Sequence, residues 1–532
     1  MDYAKVSPNQ LWEWLHDGEE ICIADVRDGG PYSRSHLLAA VSIPLAQCEV
    51  LAPTLIPRRS TRIVLCDENE FMAEKTADIL VSNGYEDVSI LAGGINSWQS
   101  QGFQLFSGSG IISKAFGELV ESELDTPRID AEVLNQWHTT GKRFHSFDAR
   151  PLAEYRTISL PQATDCPGAE LVLRIPALLA DDETPIVINC AGRTRSIIGA
   201  QSLRNAGVKN PVFALKNGTM GWQLAKFSTL QGQSNIAPQP EVEGIAMARS
   251  HALHVRDKYQ VRVISLDQLR MFQEDVSRTT YLFDVRQGDA YESGHLPGST
   301  HAPGGQLVQA TDSFAAVRNA RIVLVDDYLV QSVMTAHWLQ QMGWDVCVLE
   351  GASEHFTEKE HDSSSRLNIA DSKQKKVTAS ELEILLNDKK CSVIDVGESY
   401  WYREGRIPNS YYSMRTKLNH ALMRFRYDET LVFCCGDGKF SAYAAADAKR
   451  MGFINVSYLD GGRTAWRRSG FPVERIGEDT DDLVLSETDD MWYPPWARKE
   501  GVDEAIMQYL TWETGLLEPV SKETYLKFSV KK

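Results

Sequence analysis

One frame recurs four times along the 532 residues, and nothing else in the sequence limits the fold as tightly. Each copy opens with an apolar residue, a capping residue and an amphipathic stretch, starting at Val6 (VSPNQLWEWL), Ile129 (IDAEVLNQW), Ile264 (ISLDQLRMF) and Val377 (VTASELEILL). Ser7, Asp130, Ser265 and Thr378 are the expected N-caps. An apolar strand ending in aspartate follows, at Asp25, Asp148, Asp284 and Asp395. A tyrosine stands seven residues later each time (Tyr32, Tyr155, Tyr291, Tyr402), and four positions beyond it stand His36, Ser159, His295 and Arg406. Next comes a strand–loop–helix pattern whose loop position reads as Cys66, Cys190, Val325 and Cys435, at 41, 42, 41 and 40 residues from the strand aspartate. Each copy closes on LAGGINSW, LKNGTMGW, LEGASEHF or LDGGRTAW, whose aromatics Trp98, Trp222, Phe356 and Trp466 lie 32, 32, 31 and 31 residues past the loop position.

Strands alternating with helices predict an α/β fold, a parallel sheet with helices on both faces. The expected organisation is four tandem domains over 1–107, 124–232, 257–357 and 373–476, followed by an extension over 477–532. Clusters of Pro, Ser, Gly and charge mark the joints, and the second joint continues into a predicted helix near Ile245–Lys258. The extension begins acidic and then carries Met491, Trp492, Trp496, Ile506, Tyr509, Leu510 and Trp512. That is too apolar for a free tail. It reads as an arm packed on a repeat, or as a contact to a second copy in a homo-oligomer.

A net charge of −17 argues against nucleic acid or an anionic membrane as the main partner. No apolar run approaches the roughly 18 residues that span a bilayer, and the start, MDYAKVSPNQ, has no basic-then-apolar leader, so a cytoplasmic location is expected. Nine cysteines without C-x-x-C spacing suggest free thiols, with neither a disulfide framework nor a metal site. Cys22 and Cys391 lie in apolar runs and read as core; Cys48, Cys166 and Cys347 belong to no motif.

The stretch CAGRTRS, Cys190 to Ser196, follows the apolar run Ile186–Asn189 and leads into a helical run. Backbone N–H groups at such a helix start favour negative charge. With Arg193 and Arg195 in the loop, Cys190 is expected to ionise below the ordinary thiol pKa of about 8.5 and to act as a nucleophile.

The frame resembles the rhodanese-like family of sulfurtransferases. The resemblance rests on D-x-R after the first long strand (Asp25/Arg27, Asp148/Arg150, Asp284/Arg286), on ESGHLPGS at Glu292–Ser299, on the cysteine loop, and on the closing L-x-G-G-x-x-x-W. It implies that Cys190 carries sulfur and that Ala191, Gly192, Arg193, Thr194, Arg195 and Ser196 cradle it. Cys66 is followed by Asp67, Glu68 and Glu70 and is expected to be inert; Val325 removes the thiol from the third domain. Cys435, with Gly436 and Lys439, is a possible second site, weakened by Asp437, by Phe440 in the place of Arg195, and by Gly397 in the place of the strand arginine. The order degraded, competent, dead, doubtful suggests two sequential pairs, domains one and two, then three and four.

The implied reaction moves sulfane sulfur from a small anionic donor, thiosulfate by preference, to cyanide or a thiol, through a Cys190 persulfide and with no cofactor. The two loop arginines would orient the donor's sulfonate. Two rivals remain. A cysteine phosphatase would need C-x5-R, whereas Cys190 to Arg195 is C-x4-R. A non-catalytic scaffold or sulfur-carrier and docking protein would use the domains only as modules.

Overall fold

The computed structural model describes residues 3–359, 366–367, 374–475, 482–495, 498 and 500–532. Trp496 and most of the third joint, with the expected boundaries at 373 and 476–477, lie outside the described residues. Four five-stranded parallel sheets are present, one per repeat, each with its strands in the spatial order first, fifth, fourth, second, third. The central strands Cys22–Asp25, Ile63–Cys66, Ile186–Asn189 and Arg321–Val325 are buried along their whole length. That accounts for unbroken apolar runs where a half-solvated sheet would alternate.

The recurring residues have recurring tasks. Each frame tyrosine donates its hydroxyl to the carbonyl eight residues on: Tyr32 to Ala40, Tyr155 to Ala163, Tyr291 to Ser299 and Tyr402 to Ser410, at 2.6–3.0 Å. Of the expected caps, Ser265 and Thr378 form reciprocal capping boxes and Ser7 accepts from Gln10 N–H. Asp130 stands at its cap position without that bond; its carboxylate is drawn to Lys216 at 2.9 Å. The predicted joint helix runs over Val242–Tyr259.

The chain divides into two compact units, and they are not the sequential pairs expected. One contains Met1–Leu11, Cys22–Ser109 and Ser363–Pro494, hence the first and fourth sheets; the other contains Trp12–Ile21, Gly110–Asp362 and Pro495–Lys532, hence the second and third. In the second unit, Trp338 donates to Ser202 and Gln331 to Glu170, both at 2.8 Å, joining domain three to domain two. In the first, Arg415 grips Glu49 with two bonds of 2.8 Å and Thr416 donates to Asp28. Sequence order cannot reveal such pairing, because it depends on faces that close over long separations. The extension is likewise not one arm: residues up to Pro494 belong to the first unit, where Arg34 pairs with Asp489, and those from Pro495 belong to the second. There Ile506, Leu510, Leu516, Val520 and Tyr525 are buried. No helix among the described residues is long and apolar enough to cross a membrane.

Candidate active site

The strand pairings fix which residues are equivalent. Asp25, Asp148, Asp284 and Asp395 stand opposite Cys66, Asn189, Val325 and Cys434. The loop position is therefore the next residue: Asp67, Cys190, Asp326 and Cys435. The closing motif agrees. A Cβ on Gly94, Gly218 or Gly462, all at φ between +54° and +58°, would fall 2.2–2.3 Å from the carbonyl oxygen of Asp67, Cys190 or Cys435, so only glycine fits there. This corrects the sequence alignment. Cys66 and Val325 are terminal strand residues in the core, and an aspartate holds the loop position in domains one and three.

Those two aspartates fill their loops. Asp67 accepts from the N–H groups of Asn69, Glu70, Met72 and Ala73 at 2.5–3.2 Å. Asp326 accepts from the N–H groups of Leu329, Val330 and Gln331 and from Ser332 Oγ at 2.7–3.0 Å. Each loop is a concave set of donors closed on its own carboxylate.

In domain two the same position holds Cys190, 2% exposed, with Sγ 3.6 Å from Ser196 Oγ, the hydroxyl equivalent to Ser332. The loop is tied to the closing motif: Thr219 N–H donates to Cys190 O at 2.8 Å and Met220 N–H to Ala191 O at 2.9 Å. The helix Thr194–Asn205 starts directly behind. Arg193 bonds Glu118 (2.6 and 2.7 Å) and Glu121 (2.6 Å), both from the joint helix Ile111–Leu124. Arg195 bonds Glu154 at 2.7 and 2.8 Å and Gln306 of domain three at 3.1 Å. Thr194 Oγ1 donates to Glu513 Oε1 at 2.9 Å, and Gly192 lies beneath Glu513 and Tyr509.

Two expectations change. The arginine forks expected to orient the donor's sulfonate are already engaged by carboxylates. Burial pushes the Cys190 thiol up, not down; Arg195 and Ser196 lower it only in part, and Glu513 adds to the rise. Sequence reasoning missed Glu118, Glu121, Glu154 and Glu513 because they come from elements far along the chain; the odd crowding of arginines in one short loop was the only sign that counter-charges had to exist.

Domain four repeats the geometry with other parts. Cys435 Sγ is 3.7 Å from Ser441 Oγ, Lys439 pairs with Asp437 at 3.0 Å, and a Cβ on Gly436 would meet open space. Burial pushes this thiol up as well, and Asp437 and Asp395 add to it. The missing strand arginine is replaced twice over. In the first three domains one arginine binds the strand aspartate and a carbonyl eight residues on: Arg27 with Ser35, Arg150 with Ile158, Arg286 with Gly294. Beside Gly397, Arg463 pairs with Asp395 at 3.1 Å, and Arg467, one turn on, donates to Gly405 O at 2.8 Å.

Among the described residues no cluster of His, Cys, Asp and Glu could hold a metal ion. Four parallel α/β domains, each with a loop at a strand's carboxyl end, two of these loops closed on an aspartate and two carrying a thiol, define a class of thiol-loop proteins. The chain belongs to the rhodanese-like domain family, whose model matches residues 7–101, 130–225, 265–359 and 378–469. It is similar along 99% of its length to all of a crystallised thiosulfate sulfurtransferase from Pseudomonas aeruginosa, at 38% identity and a TM-score of 0.91. Single-domain relatives match a fraction of it. Thiosulfate sulfurtransferase GlpE of Pseudoalteromonas translucida is 35% identical over 89 residues, 16% of this chain and 83% of its own. GlpE of Actinobacillus pleuropneumoniae is 28% identical over 110 residues, 19% of this chain and 93% of its own.

Proposed function

We propose that this rhodanese-type sulfurtransferase moves sulfane sulfur from thiosulfate, or a similar donor, to a thiophilic acceptor such as cyanide or a thiol, through a persulfide on Cys190. The observation that carries the reading is what occupies the loop in the sister domains. An aspartate Oδ lies two bonds beyond Cβ and is anionic; so is the outer sulfur of Cys–S–S⁻. Loops that hold the Asp67 and Asp326 carboxylates through N–H groups three and five residues on have the form needed for a terminal persulfide sulfur. The equivalent residues in domain two are Arg193 and Arg195, with Ser196 supplying the hydroxyl; Arg193, at φ −123°, lacks the left-handed turn of Glu70 and Leu329, so holding a persulfide this way requires the Cys190 loop to take up the sister form.

The Cys190 thiolate attacks the outer sulfur of thiosulfate. A sulfur–sulfur bond forms to Cys190, the bond to the sulfonate sulfur breaks, and sulfite leaves with the electron pair. Cyanide then takes the outer sulfur as thiocyanate and returns the thiolate. This is two-step covalent catalysis and gives ping-pong kinetics. The ion pairs of Arg193 and Arg195 hold the loop in shape, and an incoming sulfonate must compete with Glu154 to reach Arg195. The names of the similar proteins support thiosulfate as a donor; the paired arginines leave the choice of donor to other groups.

The test is a thiosulfate:cyanide assay with intact-mass measurement. The wild type is expected to gain about 32 Da on Cys190 after thiosulfate, the mass of one sulfur in a persulfide, and to form thiocyanate; Cys190→Ala is expected to do neither at that site. Equal thiocyanate from both proteins removes Cys190 as the carrier and favours the scaffold reading for domain two.

A further inference from the structure

The helix Val502–Thr514 belongs to the part of the chain farthest in sequence from the repeats, yet it lies against the Cys190 loop. Ile506 and Leu510 form a small apolar cluster with Met220 of the closing motif. Glu513, in the last turn, is only 1% exposed. Its Oε1 accepts from Thr194 Oγ1, the Tyr509 hydroxyl one turn back is also drawn to this carboxylate, and Oε2 would stand 3.1 Å from a Cβ on Gly192. A carboxylate buried this deeply beside the thiol loop is costly, so its presence calls for a task.

The two loop arginines are committed to other carboxylates. Arg193 serves Glu118 and Glu121, and Arg195 serves Glu154. Lys114, on the joint helix, is drawn to Glu513 more than to Asp312, while burial lowers its pKa. Tyr509, on Glu513's own helix, has its hydroxyl pushed well up by burial and by Glu513. A negative charge thus sits over the loop that any donor must approach.

We propose that Glu513 is a specificity-determining residue of the Cys190 site, disfavouring dianionic donors and selecting sulfane-sulfur donors of lower charge, such as organic thiosulfonates and persulfides. This rests on Cys190 being the sulfur carrier. For a thiosulfonate the balance is the same as for thiosulfate: the thiolate takes the outer sulfur, the sulfur–sulfur bond of the donor breaks, and a sulfinate leaves with the pair.

The probes are thiosulfate, a dianion, and methanethiosulfonate, a monoanion with the same reacting sulfur, each with cyanide as acceptor. Glu513→Gln keeps the Thr194 contact and removes the charge. The expected result is a rise of about tenfold in kcat/KM for thiosulfate and about threefold for methanethiosulfonate, the scale of one nearby charge in a partly screened site. A merely structural role would lower both. An unchanged or reversed ratio, or an equal rise in both, overturns the proposal. Iodoacetamide labelling of the Cys190 peptide, followed by mass spectrometry, needs no sulfur transfer. If neither protein turns over either donor, the carrier reading fails; faster labelling in Glu513→Gln then still supports charge control of the site by Glu513, and equal labelling overturns it.

Discussion

Cys190 and Cys435 stand at the same place in the frame, each with a serine hydroxyl at 3.6 or 3.7 Å, yet their loops differ in nearly everything else. Three residues past the thiol, Gly438 adopts φ +85°, as Glu70 (+69°) and Leu329 (+58°) do in the aspartate loops, whereas Arg193 has φ −123°. The Cys435 backbone therefore follows the form that closes on an anion, and glycine takes the left-handed turn without strain. The Cys190 loop departs from that form and is held by three glutamates and covered by Glu513 and Tyr509. Shape and charge are separable. The first unit has the shape with a single lysine paired to its neighbour; the second has two arginines, both paired, under a helix. Each unit also combines one thiol loop with one aspartate loop, so an aspartate-bearing partner accompanies each thiol even though the partners are not sequential.

The largest effect expected is from converting Cys190 into what its sisters have. Cys190→Asp should cut thiocyanate formation at that site by about 10³-fold or more, as loss of a covalent nucleophile does, while leaving the melting temperature near that of the wild type. Retention of half the activity or more would reverse the comparison and make Cys435 the main carrier.

Next is the rebuilt ion pair of domain four. Arg463→Ala strands Asp395, which is fully buried, and removing one partner of a buried pair costs about 3–5 kcal/mol. Chemical denaturation of the full chain should register this in the transition of the first unit. Gly397 has Arg463 Nη2 2.9 Å from where its Cβ would be, so Gly397→Arg should be tolerated only together with Arg463→Ala. That double variant should recover stability by restoring the D-x-R arrangement of the other domains.

The repeat frame, the parallel α/β class and the Cys190 loop were legible because they rest on local spacing. The loop register in domains one and three was not. Cys66 and Val325 end their strands, and a thiol beside Asp67 drew the alignment one residue short; the strand pairing opposite Asp25 and Asp284 corrects it. Gly397 looked like a loss because Arg463 and Arg467 lie more than sixty residues on and fill its place only in the fold. Glu513 carries no local signal at all; it is one acid in an amphipathic helix whose partner is chosen by the apolar contact of Ile506 and Leu510.

A third test uses pH. Burial raises both thiols, Arg195 lowers Cys190, and Asp437 and Asp395 raise Cys435. With each pKa above its ordinary value, the thiolate is a minor species near neutrality and grows up to about tenfold per pH unit below the pKa. Site-resolved labelling of both peptides should therefore keep climbing past about pH 8.5, the ordinary thiol midpoint. A plateau below that pH at Cys190 would mean that the loop N–H groups outweigh burial there, and would widen the contrast between the two loops.

The smallest effect tests whether unpaired charge is what the Cys435 loop lacks. Phe440 occupies the position of Arg195, but the residue equivalent to Glu154 is Trp401, half exposed and without charge. An arginine at 440 would have no carboxylate from that quarter to hold it. In a Cys190→Ala background, Phe440→Arg should raise kcat/KM for thiosulfate by about threefold, the scale of one exposed charge at close range, and the gain should shrink as salt is added. The mirror variant, Glu154→Gln in the otherwise unchanged chain, should give a similar salt-sensitive gain at Cys190 by freeing Arg195. If Phe440→Arg helps and Glu154→Gln does not, Arg195 serves the shape of its loop and not the donor, and the charge that governs the Cys190 site is the one on Glu513.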